Sequence, residues 1–141
     1  MHKAPDSLRL TIENDLAQLA VVRDQVESFA KRENLSDDVV FAAKLVLEEL
    51  LTNTISYGYD DKSVQRIEIR LEVRGDQLII CTVDDGLAFD PRTAKVPDTK
   101  ASLKDRAIGG LGVHFVTNLM DKFEYRHENG KNHVTLRKRL K

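Results

Sequence analysis

The sequence has little cysteine and no long apolar run. Its 141 residues include one cysteine, Cys81, which excludes an intramolecular disulfide. Because Cys81 lies in the apolar run from Leu78 to Val83, we predict a small buried side chain there. No run approaches membrane-spanning length, and the N-terminus has no apolar signal core. We therefore expect a cytoplasmic protein without a membrane partner.

The charge also lacks a dominant sign. Lys and Arg number 22 and Asp and Glu 23, which gives a formal net charge of -1. This balance gives no electrostatic reason to expect direct binding of nucleic acid. A composition of 41% hydrophobic and 32% charged residues is typical of a globular protein. Since no repeat or linker divides the chain, we expect a single domain over residues 1–141.

Local patterns predict a strand and two helices in the first half of the chain. Apolar and polar residues alternate from Leu8 to Ile12, as in a strand with one buried face. Either Asn14 or Asp15 can cap the first helix. Ser36, followed by two acids, suits the start of a second helix that ends near Gly58.

The second half is predicted to be mainly strands. Alternation from Ile67 to Val73, a turn at Arg74 to Asp76 and the apolar run to Val83 predict a hairpin. The last predicted elements are a short helix from Val113 to Met120 and a strand pair, Lys122 to Arg126 and His133 to Arg139, around Glu128-Asn129-Gly130. This order favours an α+β fold, a two-layer sandwich whose mixed, mainly antiparallel sheet carries helices on one face.

Glu49 and Asn53 are four residues apart on the second predicted helix, so they share one face. Exposed acids are common on helices, and this pair alone is compatible with a solvated surface. An asparagine inside a helix is less usual, because its side chain competes with backbone hydrogen bonding. A carboxylate one turn from an amide could instead hold a metal ion and a water or hydroxyl group.

An acidic, glycine-containing segment follows the buried strand directly. Asp84 at the strand end could accept a hydrogen bond from an exocyclic amine such as that of adenine, and Gly86 would let the backbone approach a ligand. Asp84 and Asp85 point to opposite sides if the strand continues, so we expect only one to face a pocket. The alternative is an ordinary turn rich in Asp and Gly.

A glycine run, Gly109-Gly110-Leu111-Gly112, precedes the predicted short helix. Free backbone N–H groups and the helix dipole at such a start favour an anion. The alternative is a flexible hinge. Neither a Walker loop nor a dinucleotide fingerprint fits, because no Gly-Lys-Ser/Thr follows and no strand leads into the run.

These three motifs, in this order, resemble the ATP-binding (Bergerat) fold of the GHKL superfamily, shared by gyrase, histidine kinases and MutL. Within it the chain is similar to the RsbW-type and SpoIIAB-type anti-sigma-factor serine/threonine kinases. The resemblance spans nearly the whole chain. It is carried by Glu49-Leu50-Leu51-Thr52-Asn53, by Ile55-Ser56-Tyr57-Gly58-Tyr59, by Asp84 to Pro91 and by Gly109-Gly110-Leu111-Gly112-Val113.

The resemblance implies a role for each matching residue. Glu49 would be the general base, Asn53 would ligate a magnesium ion on the ATP phosphates, and Asp84 would bind the adenine amine. The other implied nucleotide-binding positions are Gly86, Ala88, Gly110, Leu111 and Gly112. Ala88 stands where the superfamily usually has a glycine, and Gly130 to Val134 replaces its final glycine-threonine box. Residues from about 92 to 108 would form a lid over ATP.

The resemblance also implies a function. The chain would be an ATP-dependent serine/threonine kinase and anti-sigma factor that phosphorylates a serine of a STAS-domain anti-anti-sigma protein. In a partner switch it would also sequester a sigma factor, and the resemblance implies a homodimer, for which the first strand and helix could form the interface. Two alternatives stay open: a nucleotide-gated regulatory binding protein with little or no catalysis, and an interaction protein with a vestigial ATP site.

Overall fold

The computed structural model describes residues 7–57, 64–88, 90–91 and 116–140. Its elements are β1 (Ser7–Glu13), a 3-10 helix (Leu16–Gln18), α1 (Leu19–Arg32), α2 (Asp37–Tyr57), β2 (Arg66–Arg74), β3 (Gln77–Asp84), β4 (Lys122–Glu128) and β5 (Lys131–Arg139). Residues 116–119 are also helical. The proposed lid, the glycine run and the start of the last predicted helix lie outside the described residues.

The five described strands form one sheet in the order β1-β2-β3-β5-β4, and every pairing among them is antiparallel. Two-residue turns join β2 to β3, at Gly75-Asp76, and β4 to β5, at Asn129-Gly130. Asn129 and Gly130 have φ angles of 55° and 74°, and Gly75 has 62°. Positive φ at both central residues is typical of a type I′ turn, which matches the twist of the strands. Because the Asn129-Gly130 turn has only two residues, β5 begins at Lys131 and not at the predicted His133.

Both long helices pack on one face of the sheet, so the predicted two-layer α+β fold is confirmed. Alternate residues of β2, Ile67, Ile69 and Leu71, are almost fully buried against them. On the helix side the core contains Val22, Val26, Phe29, Val46, Leu47, Leu50 and Leu51. Within the described residues, no helix is both long and apolar enough to cross a membrane.

Side-chain hydrogen bonds fix the points where the helices begin. Asp15 accepts from the Ala17 N–H at 3.0 Å and caps the 3-10 helix, whereas Asn14 instead binds the backbone of Gln65 beside β2. Ser36 accepts from the Val39 N–H at 3.4 Å, as its predicted capping role requires.

The outer face of the sheet carries mostly polar and charged residues. Cys81 lies there and is half-buried, so the prediction of a buried core side chain was wrong. The reason is strand alternation: Ile80 and Thr82 point to the helices, which turns Cys81 outward. Its sulfur lies 3.8 Å from the Thr135 hydroxyl and 3.5 Å from Arg70 Nη2.

Candidate nucleotide site

The buried polar residues of the described chain gather in one cleft. They are Asn53 on α2, Thr82 and Asp84 on β3, and Asn132 on β5, and each is at most 7% exposed. All four line the same cleft, whose other walls are Leu50, Thr54, Leu87, Pro91 and Val134. Burying polar groups is unfavourable unless they are paired. Their concentration at one point beside an apolar core makes this cleft the candidate binding site.

The cleft is narrow in this conformation. Its volume is about 30 Å³, room for about two water molecules. The cleft would have to widen to admit a nucleoside base. A larger cavity of about 630 Å³ lies on the outer face of the sheet, around Arg70 and Cys81. We place the site at the smaller cleft because the buried polar atoms converge there.

Asn53 has an unsatisfied buried atom. Its Oδ1 has no hydrogen-bond partner within the described part of the chain. Such an orphaned acceptor costs about 1–3 kcal/mol. An amide oxygen is a ligand that Mg²⁺ accepts, so Asn53 fits the predicted metal role. The described residues hold no cluster of three or more His, Cys, Asp or Glu that could bind a metal. A cation at Asn53 would therefore depend on phosphate oxygens for further ligands.

Glu49 lies one helical turn before Asn53 and is half-buried. Burial raises the pKa of its carboxyl group, and the negative charge of Glu48 raises it further. Glu48 itself is exposed and pairs with Arg23 of α1 at 3.4 Å. The two adjacent acids thus face different surroundings. A carboxylate with a raised pKa is the stronger base, which suits Glu49 to accept a proton.

Asp84 is the last residue of β3, and its two carboxylate oxygens differ in their hydrogen bonds. Oδ1 accepts from the Gly86 N–H at 2.9 Å and from Asn132 Nδ2 at 3.0 Å. Oδ2 accepts no hydrogen bond from the described residues. Burial raises the pKa of Asp84, while the bonds from Asn132 and Gly86 lower it in part. Asp85 is exposed, as the alternation of a continuing strand requires.

Asn132 is a site residue that the sequence did not reveal. Its Nδ2 also donates to the Leu87 carbonyl at 2.9 Å, and its Oδ1 accepts from the Tyr125 hydroxyl at 2.5 Å. Asn132 reaches Asp84 because the two residues are direct partners in the β3–β5 register. The signal in the sequence is the segment from Gly130 to Val134, which replaces the glycine-threonine box and contains Asn132.

The structure brings together Asn53, Asp84 and Gly86, with Glu49 one turn away. Ala88 is described and exposed. Gly110, Leu111 and Gly112 lie outside the described residues, so the predicted phosphate-binding helix start stays a prediction. What the described geometry provides is an acceptor for an amine at the end of β3 and a buried oxygen for a cation on α2.

The sequence matches a known domain family and is similar to several named proteins. Residues 12–138 match the model of the histidine kinase-like ATPase domain. The chain is 28% identical over 136 residues to the serine/threonine-protein kinase BtrW of Bordetella bronchiseptica, covering 96% of this chain and 94% of that protein. It is 26% identical over 111 residues to the anti-sigma F factor of Clostridium beijerinckii, covering 79% and 78%.

The chain is also similar to a further kinase and to a solved structure. The serine-protein kinase RsbW of Halalkalibacterium halodurans is 28% identical over 130 residues, which cover 89% of this chain and 79% of that protein. A crystal structure of the RsbU and RsbW domains of a Mycobacterium tuberculosis protein superposes with a TM-score of 0.69 at 15% identity. That match covers 95% of this chain and 32% of the longer one, and it shows a shared fold.

Proposed function

The chain belongs to the histidine kinase-like ATPase domain family, and from this we propose that it is an ATP-dependent serine/threonine protein kinase acting as an anti-sigma regulatory factor. The observation that carries the proposal is the buried polar cleft, with an open acceptor on Asp84 and an orphaned oxygen on Asn53. The names of the relatives, serine/threonine-protein kinase, serine-protein kinase and anti-sigma F factor, support the kinase and regulatory parts.

In the proposed complex the adenine ring binds at the end of β3. Its exocyclic amine donates to Asp84 Oδ2, since Oδ1 already accepts two hydrogen bonds. Gly86 lies beside the ring and presents no side chain that would hinder its approach. Ala88, Gly110, Leu111 and Gly112 are proposed as further contacts to the nucleotide, and residues 92–108 as its lid.

The triphosphate would extend from Asp84 toward α2. There Asn53 Oδ1 would hold a magnesium ion, which when bound neutralises phosphate charge. This assignment gives the buried oxygen of Asn53 the partner that it otherwise lacks.

Glu49 is the proposed general base. Its carboxylate would take the proton of an incoming serine hydroxyl as the serine oxygen forms a bond to the γ-phosphorus. The bond between that phosphorus and the bridging oxygen breaks, and ADP leaves. Phosphoryl transfer depends mainly on positioning and charge neutralisation. A single general base is therefore enough for the proposed reaction.

The proposed partners are a STAS-domain anti-anti-sigma protein as substrate, a sigma factor as the regulated target and a second copy of this chain. For the homodimer we propose the surface of β1 and α1. Two apolar side chains on or beside α1 support this choice, because Leu16 and Val21 are 51% and 45% exposed.

A second candidate is a nucleotide-gated binding protein with little catalysis. One observation favours it: Asp84 and Asn132 are held by hydrogen bonds, whereas Glu49 accepts none from the described residues. Asp84 and Asn132 in the proposed nucleotide-binding part are therefore held more firmly than the proposed base, Glu49.

Phosphotransfer to a STAS-domain protein encoded beside this gene tests the kinase directly. Transfer of the γ-phosphoryl group should require magnesium and should disappear when the acceptor serine is replaced by alanine. Nucleotide-dependent partner binding without any transfer would favour the second candidate. An absence of both transfer and nucleotide binding would reject the two together.

A further inference from the structure

A chain of hydrogen bonds connects the edge strand β4 to the proposed base-binding residue. The Tyr125 hydroxyl donates to Asn132 Oδ1, and Asn132 Nδ2 donates to Asp84 Oδ1 and to the Leu87 carbonyl. A longer contact of 3.4 Å joins Nδ2 to the Gly86 carbonyl. One amide thus contacts both the carboxylate and the backbone that follows it.

The orientation of the Asn132 amide follows from the chemistry of its neighbours. Its Nδ2 faces a carboxylate and carbonyl oxygens, all of which are acceptors only. A flipped amide would place its oxygen against these acceptors. The Tyr125 hydroxyl holds the amide in the productive orientation because it donates to the oxygen on the other side.

Sheet geometry explains why a tyrosine can do this. Tyr125 pairs directly with Val134, so Asn132 is its diagonal neighbour across the β4–β5 pair. Diagonal neighbours are about 7–8 Å apart, a distance that long aromatic side chains bridge. Phenylalanine would fill the same space without the hydroxyl.

We infer that Tyr125, acting through Asn132, is a positioning residue that makes the site select adenine over guanine; this rests on the proposed nucleotide-binding function. With Oδ1 occupied, Asp84 presents Oδ2 as a fixed acceptor. Adenine offers an amine to it, whereas guanine has a carbonyl oxygen at the equivalent ring position. Two acceptors facing each other leave buried polar groups unpaired, which is how such sites reject an analogue.

Loss of the tyrosine hydroxyl should weaken this discrimination. Without it the amide oxygen of Asn132 loses this donor, so the hydrogen bond from Nδ2 to Asp84 Oδ1 is held less firmly. Asp84 Oδ2 is then less firmly aimed at the adenine amine, so ATP loses affinity while GTP, which does not make this hydrogen bond, does not. The net value of one hydrogen bond corresponds to a change in affinity of about three- to tenfold.

Calorimetric titration of the full chain with Mg-ATP and Mg-GTP tests the inference. Tyr125→Phe should lower ATP affinity by about three- to tenfold and leave GTP binding unchanged, so the ratio of the two affinities falls. Thr135→Val is the matched control, because it removes a β5 hydroxyl on the outer face of the sheet. It should keep the ratio of the unmodified protein. Asn132→Asp, which replaces the donor by a second carboxylate, should lower the ratio further.

The outcomes separate the inference from the function on which it rests. If the unmodified protein binds ATP and Tyr125→Phe keeps its ATP to GTP ratio, the positioning role is overturned. Equal losses for both nucleotides would also overturn it, because they would indicate a structural role only. If the unmodified protein binds no nucleotide, the proposed function fails, and the inference with it.

Discussion

Asp84 and Asn132 face each other across β3 and β5, with Asn132 Nδ2 3.0 Å from Asp84 Oδ1. They are 48 residues apart in the sequence. Asn132 therefore stabilises the ionised form of Asp84 against the effect of burial, which raises its pKa. Five properties of the site and its surroundings can be tested.

Replacement of Glu49 by glutamine should separate catalysis from binding. The Glu49→Gln variant cannot accept the serine proton, so phosphotransfer should fall by at least about 100-fold while Mg-ATP affinity stays unchanged. Single-turnover assays and calorimetry measure the two quantities. Glu48→Gln is the control on the adjacent position, since it breaks only the exposed pair with Arg23. If both variants lose activity equally, Glu49 has no special role.

Replacement of Asn53 by leucine should stabilise the nucleotide-free protein and abolish its magnesium-dependent ATP binding. The variant removes a buried oxygen that has no partner among the described residues, which is worth about 1–3 kcal/mol in the free energy of unfolding. Urea unfolding without nucleotide measures this change.

Asn132→Leu provides the contrasting case for that measurement. Asn132 has hydrogen-bond partners on both sides of its amide, so the same substitution there should destabilise the protein. A destabilised Asn53→Leu variant would show that the Asn53 amide is satisfied in solution.

The affinity for Mg-ATP should fall on acidification, starting at a higher pH than the ordinary pKa of an aspartate would give. Burial raises the pKa of Asp84 above its ordinary value of 3.8, so the carboxylate becomes protonated at a higher pH than an exposed aspartate. Protonation removes an acceptor that the adenine amine needs. Titrations at decreasing pH should show this loss, and Asp84→Asn should bind more weakly but without it. An Asp84→Asn profile with the same acidic loss would assign the effect to another group.

The raised pKa has the opposite effect on the stability of the nucleotide-free protein. Between 3.8 and the raised value, the folded state binds more protons at Asp84 than the unfolded state does. The contribution of Asp84 to the free energy of unfolding therefore decreases as the pH rises through that window. Asp84→Asn should flatten this part of the stability profile in urea titrations.

A charge on the exposed face of α1 should disrupt the proposed homodimer. Val21→Glu would place a carboxylate in the apolar contact and should shift the protein to a monomer in sedimentation equilibrium. Phe41→Glu is the control, because Phe41 is also exposed, at 63%, but lies on α2. Loss of the dimer in the Phe41 variant alone would place the interface on α2 instead.

Local patterns predicted most of the fold. Alternation located β1 and β2, and the Glu128-Asn129-Gly130 segment marked the final hairpin, because these signals depend on neighbouring residues only. The same alternation, applied to the apolar run of β3, would have placed Cys81 on the outer face. The outward position of Cys81 is hard to predict, because a nearly continuous apolar run hides which residues face the core.

The site was predictable only in part. Asn53 was found from its unusual place inside a helix, and Asp84 from its place at a strand end. Asn132 and Tyr125 carry no such local mark. Their importance depends on the register between β3, β5 and β4, which brings together residues that are distant in the sequence.

Binding of Mg-ATP at the orphaned oxygen of Asn53, as proposed, would link nucleotide supply to the stability of the folded protein. A ligand that binds only the folded state adds to stability in proportion to the logarithm of its concentration. When the proposed ligand is scarce, the unfolded population grows and becomes available to cellular proteases. Through this linkage a fall in ATP would raise the fraction of the protein that proteases can cleave.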